Sequence, residues 1–196
     1  YYYAMNGIYS GGYSVDWVLK LLKEDYSFLE NCSFSLSSHI PIFFPYLLGG
    51  DYEGARGALL NLTGNTGREE LILGLLLGLC FEYRNIWEKM EEKLGFRVKE
   101  AVNVGGGTQN RIWMRLKSTT LGKNIFVPQD REGSCRGAAL LAGLGAGVYK
   151  DFEEAFQKTF RVKETFEPQE ENQRSLEKWF RTYVEVEKDL RIINKK

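Results

Sequence analysis

Apolar residues recur along this chain at two spacings, and each spacing predicts a different element. Leu71, Leu75, Leu79, Tyr83 and Trp87 recur every four positions, and Leu76, Leu77 and Phe81 widen the stripe. A period near 3.6 predicts a helix, and so broad a stripe predicts one that is packed over much of its surface. Thr66-Gly67-Arg68-Glu69 just before it reads as a capping box, with Thr66 as N-cap and Glu69 three residues on. Nearer the start, aromatic and small residues from Tyr2 to Ile8 predict a strand. Ser10-Gly11-Gly12 breaks it, and Tyr13 to Leu22 has helical spacing. Residues 26 to 41 carry Ser, Asn and Asp without a clean period and predict a loop leading into the apolar run Ile42 to Leu48. Gly49-Gly50 and Gly54 end that run, and Ala58 to Leu62 predicts a short strand.

The second half repeats the alternation. Glu100 to Val104 predicts a strand, Gly105-Gly106-Gly107 a turn, and Thr108 to Leu121 a helix with Ile112, Trp113 and Leu116 on or near one face. A strand from Asn124 to Val127 stops at Pro128. Gly133 to Leu144 predicts a helix crowded with Gly and Ala, a composition that lets a neighbouring backbone come close. Helical stretches from Phe152 to Phe160 and from about Gln169 to Ile193 follow. The alternating charges of the last predict a solvated face on a docked terminal helix rather than a binding arm. Strands that alternate with helices predict an α/β domain whose sheet is covered by helices.

Composition narrows the function classes. Hydrophobic residues make up 43% and charged residues 27%, as in a globular domain. Twenty-six basic residues balance twenty-six acidic ones, so no global field draws the chain to nucleic acid or to an anionic membrane, and any phosphate must be bound locally. The longest apolar run is too short to span a bilayer, which needs about 20 residues. A cytoplasmic location, with neither nucleic acid nor membrane as partner, is the expectation. Cys32, Cys80 and Cys135 are odd in number and far apart, with no CxxC and one histidine, His39. Neither a disulfide framework nor a zinc site fits. Cys80, in an apolar run, reads as a small buried hydrophobe, and His39, in a Ser-rich segment, as a surface loop residue. The chain opens on Tyr1-Tyr2-Tyr3, without methionine and inside a predicted strand, so a piece of a longer protein is expected.

The glycine turn is the candidate chemistry. Three glycines between a strand and a helix let the backbone bend tightly and put no Cβ between the chain and a flat or anionic ligand, and the helix start adds unpaired N–H groups. Yet Gly105-Gly106-Gly107-Thr108-Gln109-Asn110 fits neither the dinucleotide GxGxxG pattern nor the P-loop GxxxxGK pattern. On spacing alone a purely structural turn is about as good a reading.

The longer pattern separates the two. Val104 to Trp113, then Leu121-Gly122, Val127-Pro128 and Glu132-Gly133-Ser134-Cys135-Arg136-Gly137-Ala138-Ala139-Leu140-Leu141-Ala142-Gly143, resemble the FGGY family of carbohydrate kinases, in particular its C-terminal domain. Pro45 to Gly49, Ala55 to Ala58 and Leu62-Thr63 are similar to the family segment before its long helix. Gly11 to Trp17 are similar to the segment opening the first helix of that half. The resemblance covers residues 3 to 160 in consistent order. It implies an actin-like, ribonuclease-H-like α/β domain, with a mixed sheet flanked by helices and an extra C-terminal helix. Residues 1–196 would be a single C-terminal nucleotide-binding domain of a two-domain sugar kinase whose N-terminal domain is absent. By position Gly106 and Asn110 match residues lining the adenosine site, Gly12 and Asp16 match helix-start positions facing the same nucleotide, and Gly105 and Gly107 shape the turn. Asp16 also reads as a solvated first-turn acid that favours the helix dipole. Arg56 reads either as a phosphate ligand or as a salt bridge fixing its loop.

Implied with the family are ATP and ADP as ligands, Mg2+ bound mainly through the nucleotide, a sugar or polyol held mostly by the other domain, and a possible homodimer. No catalytic residue and no metal ligand is assigned in this chain, because the family's catalytic aspartate lies upstream. Two other classes share the pattern of elements: an actin- or chaperone-type ATPase module, and a non-catalytic regulatory or interaction module.

Overall fold

The structure is a computed structural model describing residues 3–32, 36 and 39–194. Its centre is the long helix read from the four-residue spacing. Two helices and a strand pair precede it, α1 (Gly11–Leu22), α2 (Tyr26–Asn31), β1 (Ile42–Phe44) and β2 (Ala58–Leu60), before the central α3 (Arg68–Leu94). A second group follows, with β3 (Glu100–Val102), α4 (Arg111–Leu121), β4 (Asn124–Pro128), α5 (Gly133–Gly145), α6 (Phe152–Thr159), β5 (Val162–Phe166) and α7 (Glu170–Asn194).

α3 is buried on every side over its first half, from Ile72 to Glu82. Such burial needs a partner on each face. α1 supplies Val15, Val18 and Leu19 on one flank, together with Leu29 of α2 and Phe43. On another, α7 supplies Leu176, Phe180 and Tyr183, spaced four and three apart. Phe44 stacks on Tyr183, with ring centroids 4.5 Å apart. α7 is thus the docked helix that its charge pattern predicts. β1 crosses α3 at Gly74 and Gly78, one turn apart. A Cβ on Gly78 would stand 2.1 Å from the Phe43 carbonyl oxygen, and one on Gly74 2.6 Å from that of Pro41. Glycine at these two positions lets strand and helix backbones touch.

The sheet is mixed, as the family resemblance implies. β3 and β4 run parallel, joined by α4, and β5 pairs antiparallel with the other side of β4. β1 and β2 form a separate antiparallel pair.

Several local expectations are corrected. The strand expected over Tyr2 to Ile8 is not formed in residues 3–8, and Tyr2 lies outside the described residues. A strand exists only through a ladder, and no described segment pairs with residues 3–8. Instead Ala4 to Gly7 skirt an apolar cavity of about 400 Å³ against Trp87, Met90 and Phe96. The first helix begins at Gly11, two residues early, and the loop expected from 26 holds α2, begun by Asp25, whose carboxylate accepts from the Ser27 N–H at 2.8 Å.

The N-cap of α3 is Gly67, not Thr66. Glu70 accepts from the Gly67 N–H at 2.9 Å, and the Thr66 hydroxyl is engaged by the Thr63 N–H. β2 and β3 each end two residues early. β5 goes unread because an edge strand with one buried residue, Phe166, has no apolar alternation to show. The close backbone approach expected at the Gly/Ala-rich helix is found at α3 instead: α5 buries no residue, and Gly137 has open space where a Cβ would lie.

Candidate functional site

The segment after β3 does three different things with its three glycines. Gly105 has φ +90, a conformation costly to any residue with a Cβ, and its N–H donates to the Arg131 carbonyl at 3.0 Å. Gly106 has nothing within 4 Å of an added Cβ, so its bare backbone faces open space. Gly107 backs onto Trp113, whose ring would be 2.9 Å from a Cβ. Gly106–Gln109 form a single 3-10 turn, tied by Thr108, whose hydroxyl donates to the Gly105 carbonyl at 2.7 Å. The helix expected from Thr108 therefore starts only at Arg111.

Asn110 is the hinge between turn and helix. Its Oδ1 accepts from the Trp113 N–H at 2.7 Å, which makes it the N-cap of α4. Its Nδ2 lies 3.5 Å from the Leu29 carbonyl of α2. The amide thus spans the gap between the two halves of the molecule.

A cavity of about 590 Å³ opens at that gap. One wall is the glycine turn, with Gly106, Gly107, Gln109 and Asn110. The opposite wall comes from the first two helices, with Gly12 and Val15 from α1 and Tyr26, Leu29 and Glu30 from α2. Asn103 and Val104 of the strand end, with Trp113 and Lys117 of α4, complete it. Four of the six residues singled out in the sequence, Gly12, Gly106, Gly107 and Asn110, are therefore on one cavity although nearly a hundred positions separate the first from the rest. Gly105 shapes the turn from behind. Asp16 does not line the cavity: its carboxylate accepts from the Tyr26 hydroxyl at 2.6 Å, so it touches the site through Tyr26. Burial, and then the Asp16 carboxylate, push the Tyr26 pKa up to about 12, so the phenol stays a donor at neutral pH.

Sequence reading missed Tyr26, Leu29 and Glu30 because α2 is only six residues long, too short to show a period. It missed Lys117 although a signal existed. Lys117 stands four residues after Trp113, on the inward stripe of a helix, where a lysine is out of place. It is 9% exposed, and burial lowers its pKa.

Other candidates lie apart. Arg56 is exposed and, among the described residues, forms no ion pair. His39 is exposed, as expected. Cys80 is wholly buried, and burial raises its thiol pKa to about 12, which leaves it an inert apolar filler. Among the described residues no three His, Cys, Asp or Glu side chains cluster to hold a metal ion, and no helix is long and apolar enough to cross a membrane.

Three comparisons bear on this geometry. Residues 1–146 match the model for the FGGY family of carbohydrate kinases, C-terminal domain. The chain is 29% identical to a xylulose kinase of Staphylococcus epidermidis, over 95% of this chain and 39% of that protein. It is 32% identical to a glycerol kinase of Aquifex aeolicus, over 90% of this chain and 38% of that protein. Among solved structures the fold is shared with a Brucella ovis xylulose kinase, at TM-score 0.82 and 22% identity over 93% of this chain and 38% of that one. It is shared also with a Plasmodium falciparum glycerol kinase solved with ADP, at TM-score 0.74 and 24% identity over 90% and 37%. The chain thus spans somewhat more than a third of the length of these relatives.

Proposed function

This chain belongs to the FGGY family of carbohydrate kinases, and from that premise we propose that it is the nucleotide-binding half of an ATP-dependent kinase that moves the γ-phosphate to a sugar or polyol hydroxyl. The observation that supports this most directly is the convergence of Gly12, Gly106, Gly107 and Asn110 on one cavity. Its walls suit the adenosine end of ATP. Bare backbone at Gly12 and Gly106 admits a flat ring closely, Tyr26 and Trp113 offer aromatic surface, and Val15 and Leu29 are aliphatic.

The phosphates would project from the turn toward the open side. Phosphoryl transfer needs a base for the acceptor hydroxyl and cations on the γ-phosphate. The described residues offer no clustered acids for a metal, so Mg2+ would ride on the nucleotide phosphates, and the base and most sugar contacts would come from a partner domain. The chain alone would bind ATP weakly and transfer no phosphate.

Calorimetric titration of the chain with ATP tests the site. Gly106→Val, which fills the open space, should abolish binding, and Asn110→Ala should weaken it by about tenfold. Unchanged binding in both would remove the cavity from consideration.

A further inference from the structure

The wall of the cavity holds a buried ammonium whose partners are one amide oxygen and two aromatic faces. The Lys117 ammonium donates to Asn103 Oδ1 at 3.1 Å and lies 5.1 Å from the ring centres of both Tyr83 and Trp113. Among the described residues it has no carboxylate partner; the ion pairs nearest in sequence on either side, those of Arg111 and Lys123, are made by other groups. Asn103 answers it with a neutral oxygen only, since its Nδ2 turns to the Met114 sulfur at 3.3 Å. A lysine has three N–H donors, so two remain beyond the one given to Asn103. The two aromatic faces offset part of the cost of burying an ammonium without a counter-ion, and an apolar residue of the same length would carry none of that cost. A buried donor with hydrogen-bonding capacity left over, on the wall of an open cavity, is placed to meet a ligand that enters it.

We propose that Lys117 reads the base of the bound nucleotide, donating a hydrogen bond to a ring-nitrogen or carbonyl acceptor of a purine whose ring lies along the Trp113 side of the cavity. This rests on the nucleotide reading of the cavity given above. The chemistry of the surroundings selects a base rather than a phosphate. A phosphate would bring its charge against the aliphatic Val15 and Leu29 and two aromatic rings, whereas a heterocycle covers that surface and offers one acceptor to Lys117. Lys117 is then a specificity residue: a site built to donate rejects a ligand that lacks the acceptor far more strongly than an apolar pocket rejects a change of size.

The test uses the 196-residue chain and Lys117→Met, which keeps the length and removes the donors, with ATP and adenosine titrated separately. The affinity for both ligands should fall by the same factor, about tenfold or more, while the thermal midpoint stays level or rises. A loss confined to ATP would make Lys117 a phosphate ligand and overturn the proposal. So would unchanged affinity together with a lowered midpoint, which would assign the lysine to packing. Gly106→Val run alongside separates the two readings. If it abolishes binding while Lys117→Met does not weaken it, only the role of Lys117 falls; if ATP binding survives both substitutions, the cavity itself is the wrong site.

Discussion

Glu82 and Glu91 are both buried acids of α3, yet their pKa values move in opposite directions, because burial wins at the first and its ionic and hydrogen-bonding neighbours win at the second. Burial raises that of Glu82, opposed only in part by the Tyr46 and Tyr183 hydroxyls that donate to its Oε2 at 2.8 and 2.9 Å. Its proton is therefore held more tightly when folded, so its contribution to stability is full below the ordinary carboxylate range and is lost as pH rises through the raised value. Glu82→Gln keeps an acceptor for both tyrosines and cannot ionise. Its melting temperature should fall less than that of the parent between mildly acid and neutral pH, as calorimetry at several pH values would show.

For Glu91 burial pushes upward too, but the Arg97 guanidinium, the Val98 N–H and the Lys123 ammonium outweigh it and hold the pKa at about 2. That stability is present above the ordinary glutamate value of 4.5 and is lost as pH falls through about 2. Glu91→Gln should cost about 2–3 kcal/mol at neutral pH, with the difference vanishing toward the acid limit; a constant difference in urea melts across that range would refute the assignment. Neither acid was legible in the sequence, because only the fold decides which charges surround a buried carboxylate.

At the scale of elements, glycine shows how far local reading reaches. Gly105, between strand and helix, was legible as a turn former because its neighbours in sequence set its backbone. Gly78 and Gly74 were hidden in an apolar run, and their purpose is set by a strand more than thirty residues upstream. The Gly/Ala-rich stretch of α5 invited the close approach that they actually make. Paired substitutions test this contrast. Gly78→Ala should destabilise by about 3 kcal/mol or more, since β1 must lift off α3 to clear the new methyl group. Gly137→Ala, in open space within a helix, should stabilise by about 0.5–1 kcal/mol. Chemical denaturation of both variants would check the pair, and equal effects would mean that the packing of β1 is misplaced. α2 and β5 escaped prediction for a related reason. One is too short and the other too polar to carry a period, and each exists because of what it docks against.

At the scale of the whole molecule, the two groups of elements meet where α4 packs on α3, and α7 closes the assembly from outside. Leu176, Phe180 and Tyr183 fill a core cluster to which Ile40, Phe44, Leu73 and Leu77 also belong. Removing residues 168 to 196 should therefore abolish cooperative unfolding rather than merely shorten the chain. A truncated protein that still melted cooperatively near the parent's temperature would show α7 to be an accessory. The functional counterpart is that a coupled assay on the isolated chain should find no sugar-dependent release of ADP.

The sequence by itself determined the alternation of elements, the buried central helix, the docked terminal helix and the resemblance that identified the family, because periodicity and ordered motifs are properties of neighbouring residues. Only the tertiary structure decided that Gly12 meets Gly106 and Asn110 across one cavity, that Asp16 reaches it through Tyr26, and that Lys117 stands buried on its wall. Those facts depend on which distant segments pack together, and burial, pairing and open space come into being only when they do.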